Sequence, residues 1–176
     1  MEEKSYKEYL KDITTFVFDV DGVLTDGTIS ITTQGEFLRQ MNIRDGYALK
    51  TAVNQGYHIC IISGGSNEGL RHRLRGLGIT DIYLGVHHKT EVLDEYLDIY
   101  QIDPKNVLYM GDDIPDLYVM QKVGLPCCPQ DAVVEIKSVS KYISPKKGGK
   151  GCVREIIEQV LKVQGKWAKD HNAKLD

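Results

Sequence analysis

The sequence has few cysteines, no long apolar run and no signal-like N-terminus, and each absence narrows the class of protein. Only four of its 176 residues are cysteine (Cys60, Cys127, Cys128 and Cys152), and they form no Cys-x-x-Cys pair. We therefore expect buried free thiols, which fit a reducing cytoplasm. No apolar run approaches the length that a membrane-spanning helix needs, and residues 1–10 are too polar and acidic for a signal peptide.

Clusters of basic residues are also missing. The net charge is −3 and no basic run exceeds a few residues, which argues against a nucleic-acid-binding surface. Apolar residues make up 41% of the chain and charged residues 27%, as in an ordinary globular protein. Because there is no repeat and no linker, residues 1–176 are predicted to form one domain, with a polar, frayed tail at about 164–176.

Short apolar segments alternate with helical segments along the chain. Strands are predicted at about 14–19, 57–62, 81–84, 106–110, 125–128 and 141–143, and helices at about 45–55, 66–76, 89–100, 117–123, 131–138 and 152–163. This order predicts a Rossmann-like α/β fold of three layers, with a mostly parallel sheet and helices on both faces. Asp45 is the expected N-cap of the first of these helices.

Residues 28–41 follow a different pattern. β-Branched and apolar residues alternate on both sides of the turn Thr33-Gln34-Gly35, which is typical of a β-hairpin. The hairpin comes directly after the loop at the end of the first strand, so we expect it to cover that loop as a flap. An ordinary hairpin at the edge of the sheet is the alternative.

Two aspartates, Asp19 and Asp21, follow the first buried strand. Desolvating two carboxylates at this position is costly, and a cation would remove that cost. In open α/β sheets, ligands bind outside the carboxyl ends of the strands. The pair therefore indicates a crevice that holds a metal and an anionic ligand, although an Asx turn around Gly22 would give the same local pattern.

Polar residues also follow the second strand and begin a later helix. Ser63 stands beside Gly64 and Gly65, whose bare backbone N–H groups could hold phosphate oxygens, although a plain turn has the same composition. Lys89 lies at a helix start, where the macrodipole favours acids. Contact with a phosphate would explain this position, and a solvated surface lysine is the alternative.

Three acids, Asp112, Asp113 and Asp116, crowd the end of the strand at about 106–110. Acids at a helix start are common caps, so a structural role is one interpretation. The other is a metal site, and all-oxygen ligands favour Mg²⁺ over Zn²⁺.

The stretches FDVDGVLTDG, SGG, the lone Lys89 and GDDIPD resemble, in this order, the four signatures of the haloacid dehalogenase (HAD) superfamily. Most members of that superfamily are magnesium-dependent phosphatases. The resemblance implies that Asp19 is the nucleophile, which becomes an aspartyl phosphate, and that Asp21 is the acid/base group. Ser63 and Lys89 would act on the phosphate that is transferred.

The same resemblance implies a ligand set for Mg²⁺. The metal would be held by Asp19, the backbone carbonyl of Asp21 and Asp112. Asp113 and Asp116 would contact the groups around the metal without binding it themselves, and Asp116 would hold Lys89 in place.

No cap domain is predicted. HAD enzymes normally carry a cap between the first and second signatures or between the second and third, and here those gaps hold only the hairpin, two helices and one strand.

Among capless members, the chain is similar to the 3-deoxy-D-manno-octulosonate (KDO) 8-phosphate phosphatases over about residues 10–163. The similarity lies in the stretches DVDGVLTDG, NIRDGYALK, LGITDIYLG, GDDIPDLYVM and GGKGCVRE.

This second resemblance implies a small sugar-acid phosphate as the substrate, in lipopolysaccharide precursor biosynthesis. It also implies a homotetramer, in which the hairpin and a flexible basic segment at 146–151 from neighbouring chains cover each site. The chain departs from the family at Gly65, where an arginine is often found, so the substrate carboxylate needs another cation. The candidates for substrate binding are Thr25, Gly64, Gly65, Arg44, Arg73, His88 and Lys150.

Three other functions remain open at this point. A closely similar phosphatase acts on the 9-phosphate of a nine-carbon sugar acid (KDN or a sialic acid), although the NIRDGY stretch favours the eight-carbon substrate. A signalling receiver domain also phosphorylates an aspartate beside Ser/Thr and Lys, but there the acidic pair and the phosphorylated aspartate follow different strands. A non-catalytic regulatory subunit is the third, and the complete set of acids argues against it.

Overall fold

The computed structural model describes residues 5–167, and a parallel sheet runs through its centre. The strands, in chain order, are β1 (Thr15–Phe18), β2 (Ser30–Ile31), β3 (Phe37–Leu38), β4 (His58–Ile62), β5 (Asp81–Tyr83), β6 (Val107–Met110), β7 (Leu125–Cys128) and β8 (Tyr142–Ile143). Six of them form one sheet in the order β5-β4-β1-β6-β7-β8, in which every pairing is parallel. The predicted α/β fold is confirmed, and the described range contains no separate cap domain.

Helices cover both faces of the sheet. They are α1 (Tyr6–Leu10), α2 (Ile43–Asn54), α3 (Glu68–Gly76), α4 (Lys89–Tyr100), α5 (Leu117–Met120), α6 (Val134–Val139) and α7 (Cys152–Val163). Phe16 and Phe18 of β1 belong to a core with α2, α3 and α7, whereas Val17 belongs to a second core with α4, α5 and α6. The sheet is thus the middle of three layers. None of the helices between residues 5 and 167 is long and apolar enough to cross a membrane.

β1 lies between β4 and β6, and the strand order reverses across it. From β1 the chain moves to β4 and β5 on one side, and it then returns to β6, β7 and β8 on the other. Such a reversal leaves a crevice outside the carboxyl ends of the strands. The residues that follow β4, β1 and β6 therefore meet at one edge of the sheet.

The predicted hairpin is present but stands apart from the main sheet. β2 and β3 are two residues each and pair with each other. The interpretation as an edge hairpin of the main sheet is therefore wrong. Asn67, the N-cap of α3, donates from Nδ2 to the backbone carbonyl of Phe37 over 3.2 Å. This hydrogen bond holds the hairpin beside the loop that follows β4.

Asp45 does not cap α2 as predicted. Asn42 is the N-cap, and its side chain accepts from the backbone N–H of Arg44. Asp45 is buried in the first turn of α2, and its Oδ1 accepts from the backbone N–H of Arg154 at 2.7 Å. Arg154 lies in the first turn of α7, whose own N-cap, Gly151, has no side chain to offer. Asp45 therefore caps α7 from a neighbouring helix.

The segment at 146–151 is packed, so the expected flexibility is wrong. Its Gly149 donates from the backbone N–H to the carbonyl of Val23 over 2.9 Å. A Cβ atom at Gly148 would lie 1.9 Å from the carbonyl oxygen of Gly22. Glycine is therefore required for this close approach, which seats the segment against the loop after β1.

The chain is also ordered beyond the point where the tail was expected to fray. Gln164 donates from Nε2 to the carbonyl oxygens of Leu10 and Ile13 over 2.9 and 2.8 Å. Trp167 packs against the core, with the Arg154 guanidinium 4.7 Å from its ring centroid. Fraying from residue 164 is therefore wrong for residues 164–167, and residues 168–176 lie outside the described range.

We predict that Asp45→Ala lowers the free energy of unfolding by about 1–2 kcal/mol at pH 5, because α7 loses its cap. Burial raises the pKa of Asp45 to about 6, above the value of an unfolded aspartate near 4. The contribution of Asp45 to the free energy of unfolding is therefore largest at low pH. It is lost as the pH rises through the pKa that Asp45 has in the folded protein. The difference between wild type and Asp45→Ala should thus shrink between pH 5 and pH 8 in urea titrations.

Asp45→Asn is the matched control for this test. It keeps an acceptor oxygen but cannot titrate, so its stability relative to Asp45→Ala should not change with pH. A wild-type advantage over Asp45→Ala that grows with pH would contradict the assignment.

Candidate active site

A cavity of about 430 Å³ opens at the carboxyl ends of β1, β4 and β6. This is within the usual size range of small-molecule sites. The cavity brings together residues from all four of the predicted stretches. Its lining consists of Asp19, Asp21, Gly27, Ser63, Gly64, Gly65, Val86, His87, Lys89, Asp112, Asp113, Pro115 and Asp116.

Lys89 is the buried cation of this cavity. Its Nζ lies 3.0 Å from Oδ1 of Asp19 and 2.7 Å from Oδ1 of Asp116, and the residue is only 6% exposed. Burial alone would lower the pKa of Lys89, but the carboxylates of Asp116 and Asp19 outweigh it and raise the pKa. The interpretation of Lys89 as a solvated surface lysine is therefore wrong.

Asp116 is held in place by three donors. Besides Lys89, the hydroxyl of Tyr109 donates to Oδ1 over 2.7 Å, and the backbone N–H of Asp112 donates to Oδ2 over 3.1 Å. Burial raises the pKa of Tyr109, so its hydroxyl keeps the proton that it donates. Sequence reasoning missed Tyr109, and the signal was a single phenol inside the otherwise apolar strand β6.

Asp19 and Asp112 form the part of the acidic cluster that could bind a metal. One carboxylate oxygen from each of Asp19, Asp112 and Asp116 lies within 4.8 Å of the others, and Asp116 is already occupied by Lys89. Burial and then the neighbouring Asp116 carboxylate raise the pKa of Asp19 to about 7. Burial and then Asp19 raise the pKa of Asp112 to about 8. The cavity therefore holds more carboxylates than Lys89 alone can balance.

Two further observations fit a cation between these carboxylates. Oδ1 of Asp112 is buried and has no hydrogen-bond partner among residues 5–167. A Cβ atom at Gly22, which has a φ of +86°, would lie 1.9 Å from Oδ2 of Asp112. The loop after β1 thus needs glycine there to let Asp112 approach. Carboxylate and carbonyl oxygens are the ligands that Mg²⁺ prefers.

Asp21 is bound by an arginine of the hairpin. Nε of Arg39 donates to Oδ1 of Asp21 over 2.7 Å, and Nη2 donates to Oδ2 over 3.0 Å. The fully buried hydroxyl of Thr25 lies 3.4 Å from the same Oδ1 and accepts from the backbone N–H of Gly27 at 3.2 Å. Thr25 therefore stabilises the loop instead of lining the cavity, contrary to its predicted role in substrate binding.

Comparisons with known proteins agree with this geometry. The family of haloacid dehalogenase-like hydrolases matches residues 76–156. The 3-deoxy-D-manno-octulosonate 8-phosphate phosphatase KdsC of Escherichia coli (strain K12) is 38% identical over 156 residues, which covers 89% of this chain and 83% of that protein. The chain belongs to the haloacid dehalogenase superfamily, in the family of the KdsC phosphatases.

Solved structures of this family have the same fold. The crystal structure of the phosphatase from Yersinia pestis superposes with a TM-score of 0.90 at 36% identity, covering 93% of this chain and 88% of that one. The phosphatase from Moraxella catarrhalis, in complex with a magnesium ion, a phosphate ion and KDO, superposes with a TM-score of 0.88 at 32% identity. That match covers 91% of this chain and 92% of the other.

Within the HAD signatures, the second forms a compact turn. Ser63 is 2% exposed, and its Oγ accepts from the backbone N–H of Gly65 at 3.2 Å. Gly64 and Gly65 line the cavity, as expected of substrate-binding positions. Asp113 is exposed, and its Oδ1 accepts from the backbone N–H of Ile114 at 2.8 Å, so it caps the short turn Ile114–Asp116 within the fourth HAD signature.

Besides Thr25, four of the predicted substrate-binding residues lie outside the cavity. Arg44 and Lys150 line a separate groove of about 640 Å³, and Arg73 lines another of about 320 Å³. His88 is exposed at the start of α4, and its neighbour His87 lines the cavity instead. Sequence reasoning missed Arg39, although it is the one lysine or arginine between residues 28 and 41.

We predict that Tyr109→Phe lowers the free energy of unfolding by about 1.5–3 kcal/mol, because Asp116 loses a charge-assisted hydrogen bond. Urea denaturation measures this. Tyr96→Phe is the matched control, since Tyr96 is also fully buried but its hydroxyl has no partner within the described chain. Equal losses in both variants would mean that the Tyr109 hydroxyl contributes no more than packing.

Proposed function

We propose that this chain is a magnesium-dependent phosphomonoesterase that hydrolyses KDO 8-phosphate to KDO and phosphate, in the supply of lipopolysaccharide precursors. The main support is the single cavity in which Asp19, Lys89 and Asp112 meet the Ser63 turn. The relatives named as KDO 8-phosphate phosphatases, and the Moraxella catarrhalis complex with magnesium, phosphate and KDO, support the same substrate.

The proposed reaction has two steps. A carboxylate oxygen of Asp19 attacks phosphorus in line with the ester oxygen, and the bond from phosphorus to that oxygen breaks. Asp21 gives a proton to the leaving alkoxide, so free KDO departs and an aspartyl phosphate remains. Asp21 then takes a proton from the water that attacks this acyl phosphate, which releases inorganic phosphate and restores Asp19.

Other residues of the cavity hold the reacting groups. Lys89 positions Oδ1 of Asp19 through the 3.0 Å contact, and its charge would stabilise the phosphate oxygens. The Ser63 hydroxyl and the backbone N–H of Gly64 would bind the same oxygens. These groups are fixed before substrate arrives, so little reorganisation is needed.

Mg²⁺ would be held by Asp19, the backbone carbonyl of Asp21 and Asp112. When bound, it supplies positive charge between the carboxylates and the phosphate. The orphaned Oδ1 of Asp112 and the raised pKa values of Asp19 and Asp112, which arise first from burial, support this assignment.

We further propose a homotetramer in the cytoplasm. The hairpin exposes Ile29, Ile31, Phe37 and Leu38 by between 44% and 66%, which is unusual for four large apolar side chains on one short element. Contact between hairpins of several chains would bury them. The four free, buried cysteines support a reducing compartment. Sedimentation of a fully active monomer at assay concentration would contradict the tetramer.

The decisive experiment compares turnover on KDO 8-phosphate with turnover on the 9-phosphates of KDN and a sialic acid. We expect the eight-carbon substrate to have the higher kcat/KM, with activity lost in excess chelator and restored by Mg²⁺. Asp19→Asn should abolish phosphate release and the trapped acyl phosphate, because an amide is no nucleophile.

Three outcomes would count against the proposal. Preference for a 9-phosphate would identify the nine-carbon phosphatase. Stable phosphorylation without turnover would identify a receiver, and Asp19→Asn activity within about tenfold of wild type would refute the covalent mechanism.

A further inference from the structure

Arg39 is placed differently from the two hairpin residues that precede it. Phe37 and Leu38 on the same strand are about half exposed, at 50% and 52%. The Arg39 side chain, which follows directly, is only 14% exposed. The hairpin therefore directs its single cation inward, where it meets Asp21 at the wall of the cavity.

The hydrogen bonds of Arg39 occupy only one edge of the guanidinium group. Asp21 accepts from Nε and Nη2, which form the side edge. The end edge, formed by Nη1 and the second N–H of Nη2, has no protein acceptor within residues 5–167. A guanidinium offers planar pairs of donors that match a carboxylate. The free edge can therefore bind a second carboxylate without displacing Asp21.

Gly65 makes the room that this arrangement needs. A Cβ atom at Gly65 would lie 3.0 Å from Nη2 of Arg39 and 3.2 Å from Oδ2 of Asp21. Both distances are tighter than ordinary van der Waals contacts. A side chain at position 65 would thus compete with the guanidinium for the same space beside the cavity.

Other cations are less suitable for a second carboxylate at this place. Lys89 is already paired with Asp19 and Asp116, and its charge faces the phosphate in the proposed reaction. Arg44 lies in the separate groove with Lys150, and Nη2 of Arg73 lies against Gly46 of α2, 2.7 Å from where a Cβ atom would be. Arg39 lines the groove of about 320 Å³ together with Arg73, but among the arginines in the described part of the chain it is the one that hydrogen-bonds a side chain of the cavity.

We propose that Arg39 binds the carboxylate of the sugar-acid substrate through its free edge, while Asp21 fixes the other edge. Arg39 is then the residue that distinguishes a sugar-acid phosphate from a phosphate ester without a carboxylate. The inference rests on the proposed phosphatase function, and it identifies a hairpin residue as the determinant of specificity.

The test compares two substrates with saturating Mg²⁺: KDO 8-phosphate, which has a carboxylate, and 4-nitrophenyl phosphate, which has none. We expect Arg39→Ala to lower kcat/KM for KDO 8-phosphate by about 10- to 100-fold, mainly through KM, the usual effect of losing a charge-assisted hydrogen bond. The value for 4-nitrophenyl phosphate should fall by less than about threefold. Arg39→Lys, which keeps the charge but not the planar fork, should be intermediate.

Two further variants separate the role of Arg39 from other effects. Gly65→Ala should change the substrate ratio in the same direction, because it pushes the guanidinium away without removing its charge. Arg75→Ala, at an exposed position of α3, is the control and should leave the ratio unchanged. A loss in Arg39→Ala that falls on kcat for KDO 8-phosphate and leaves its KM unchanged would show that Arg39 only orients Asp21, because 4-nitrophenolate leaves with little help from an acid, and would overturn the proposal.

Binding of KDO alone provides a readout that does not depend on turnover. KDO carries the carboxylate but no phosphate, so its inhibition constant against 4-nitrophenyl phosphate should rise by about 10- to 100-fold in Arg39→Ala. If wild type hydrolyses KDO 8-phosphate and inhibition by KDO is unchanged in Arg39→Ala, the Arg39 assignment alone fails. It also fails if Arg44→Ala shows the loss instead. If wild type does not hydrolyse KDO 8-phosphate, the proposed function itself fails.

Discussion

The paired contacts of Lys89 with Asp19 and Asp116 are the interaction on which the rest of the site depends. The three side chains are 5%, 10% and 1% exposed, and charges buried to this extent are costly unless they are paired and hydrogen-bonded. Lys89 begins α4, Asp19 follows β1 and Asp116 follows β6, so the ion pairs connect elements from both halves of the sheet. The Tyr109 hydroxyl completes the set of donors to Asp116, which holds this carboxylate in place beside Lys89.

Glycines at close backbone approaches keep these carboxylates in fixed positions. A Cβ atom at Gly111 would lie 2.5 Å from Cβ of Asp116, and one at Gly22 would overlap the Asp112 carboxylate. Asp112 and Asp116 thus lie in close contact with the backbone of these glycines, which limits how far the two carboxylates can move apart. Burial first, and then the neighbouring carboxylates, raise the pKa of both Asp19 and Asp112. The architecture therefore creates a deficit of positive charge that a divalent cation and Lys89 together can balance.

The strand ends were predictable from the sequence, whereas contacts between distant elements were not. Asp19, Ser63 and Asp112 each follow an apolar strand, and parallel strands must present these ends at one edge. Asp45 looks like a local cap, but its partner Arg154 is 109 residues away. No local pattern encodes that pairing, because it depends on how α2 packs against α7.

The same reason explains why several predicted substrate-binding residues lie outside the cavity. The interpretation of Arg44, Arg73 and Lys150 rested on charge and proximity in sequence, and neither fixes the direction of a side chain. Thr25 was placed correctly in the loop after β1, but its hydroxyl turns inward to the backbone of Gly27. The direction of a side chain depends on packing, and the sequence pattern predicts packing only within regular helices and strands.

The described chain has no cap domain, and the hairpin is the small element that stands beside the cavity instead. Two strands of two residues each are too short to be stable alone, so the hairpin needs anchors in the rest of the fold. Asn67 anchors its backbone, and the pairing of Arg39 with Asp21 anchors its side chain. The contact that anchors the hairpin is therefore also a contact with the proposed acid/base residue. A ligand that binds the free edge of Arg39 would add a contact to this anchor, so recognition of the sugar acid and placement of the hairpin would depend on the same guanidinium group.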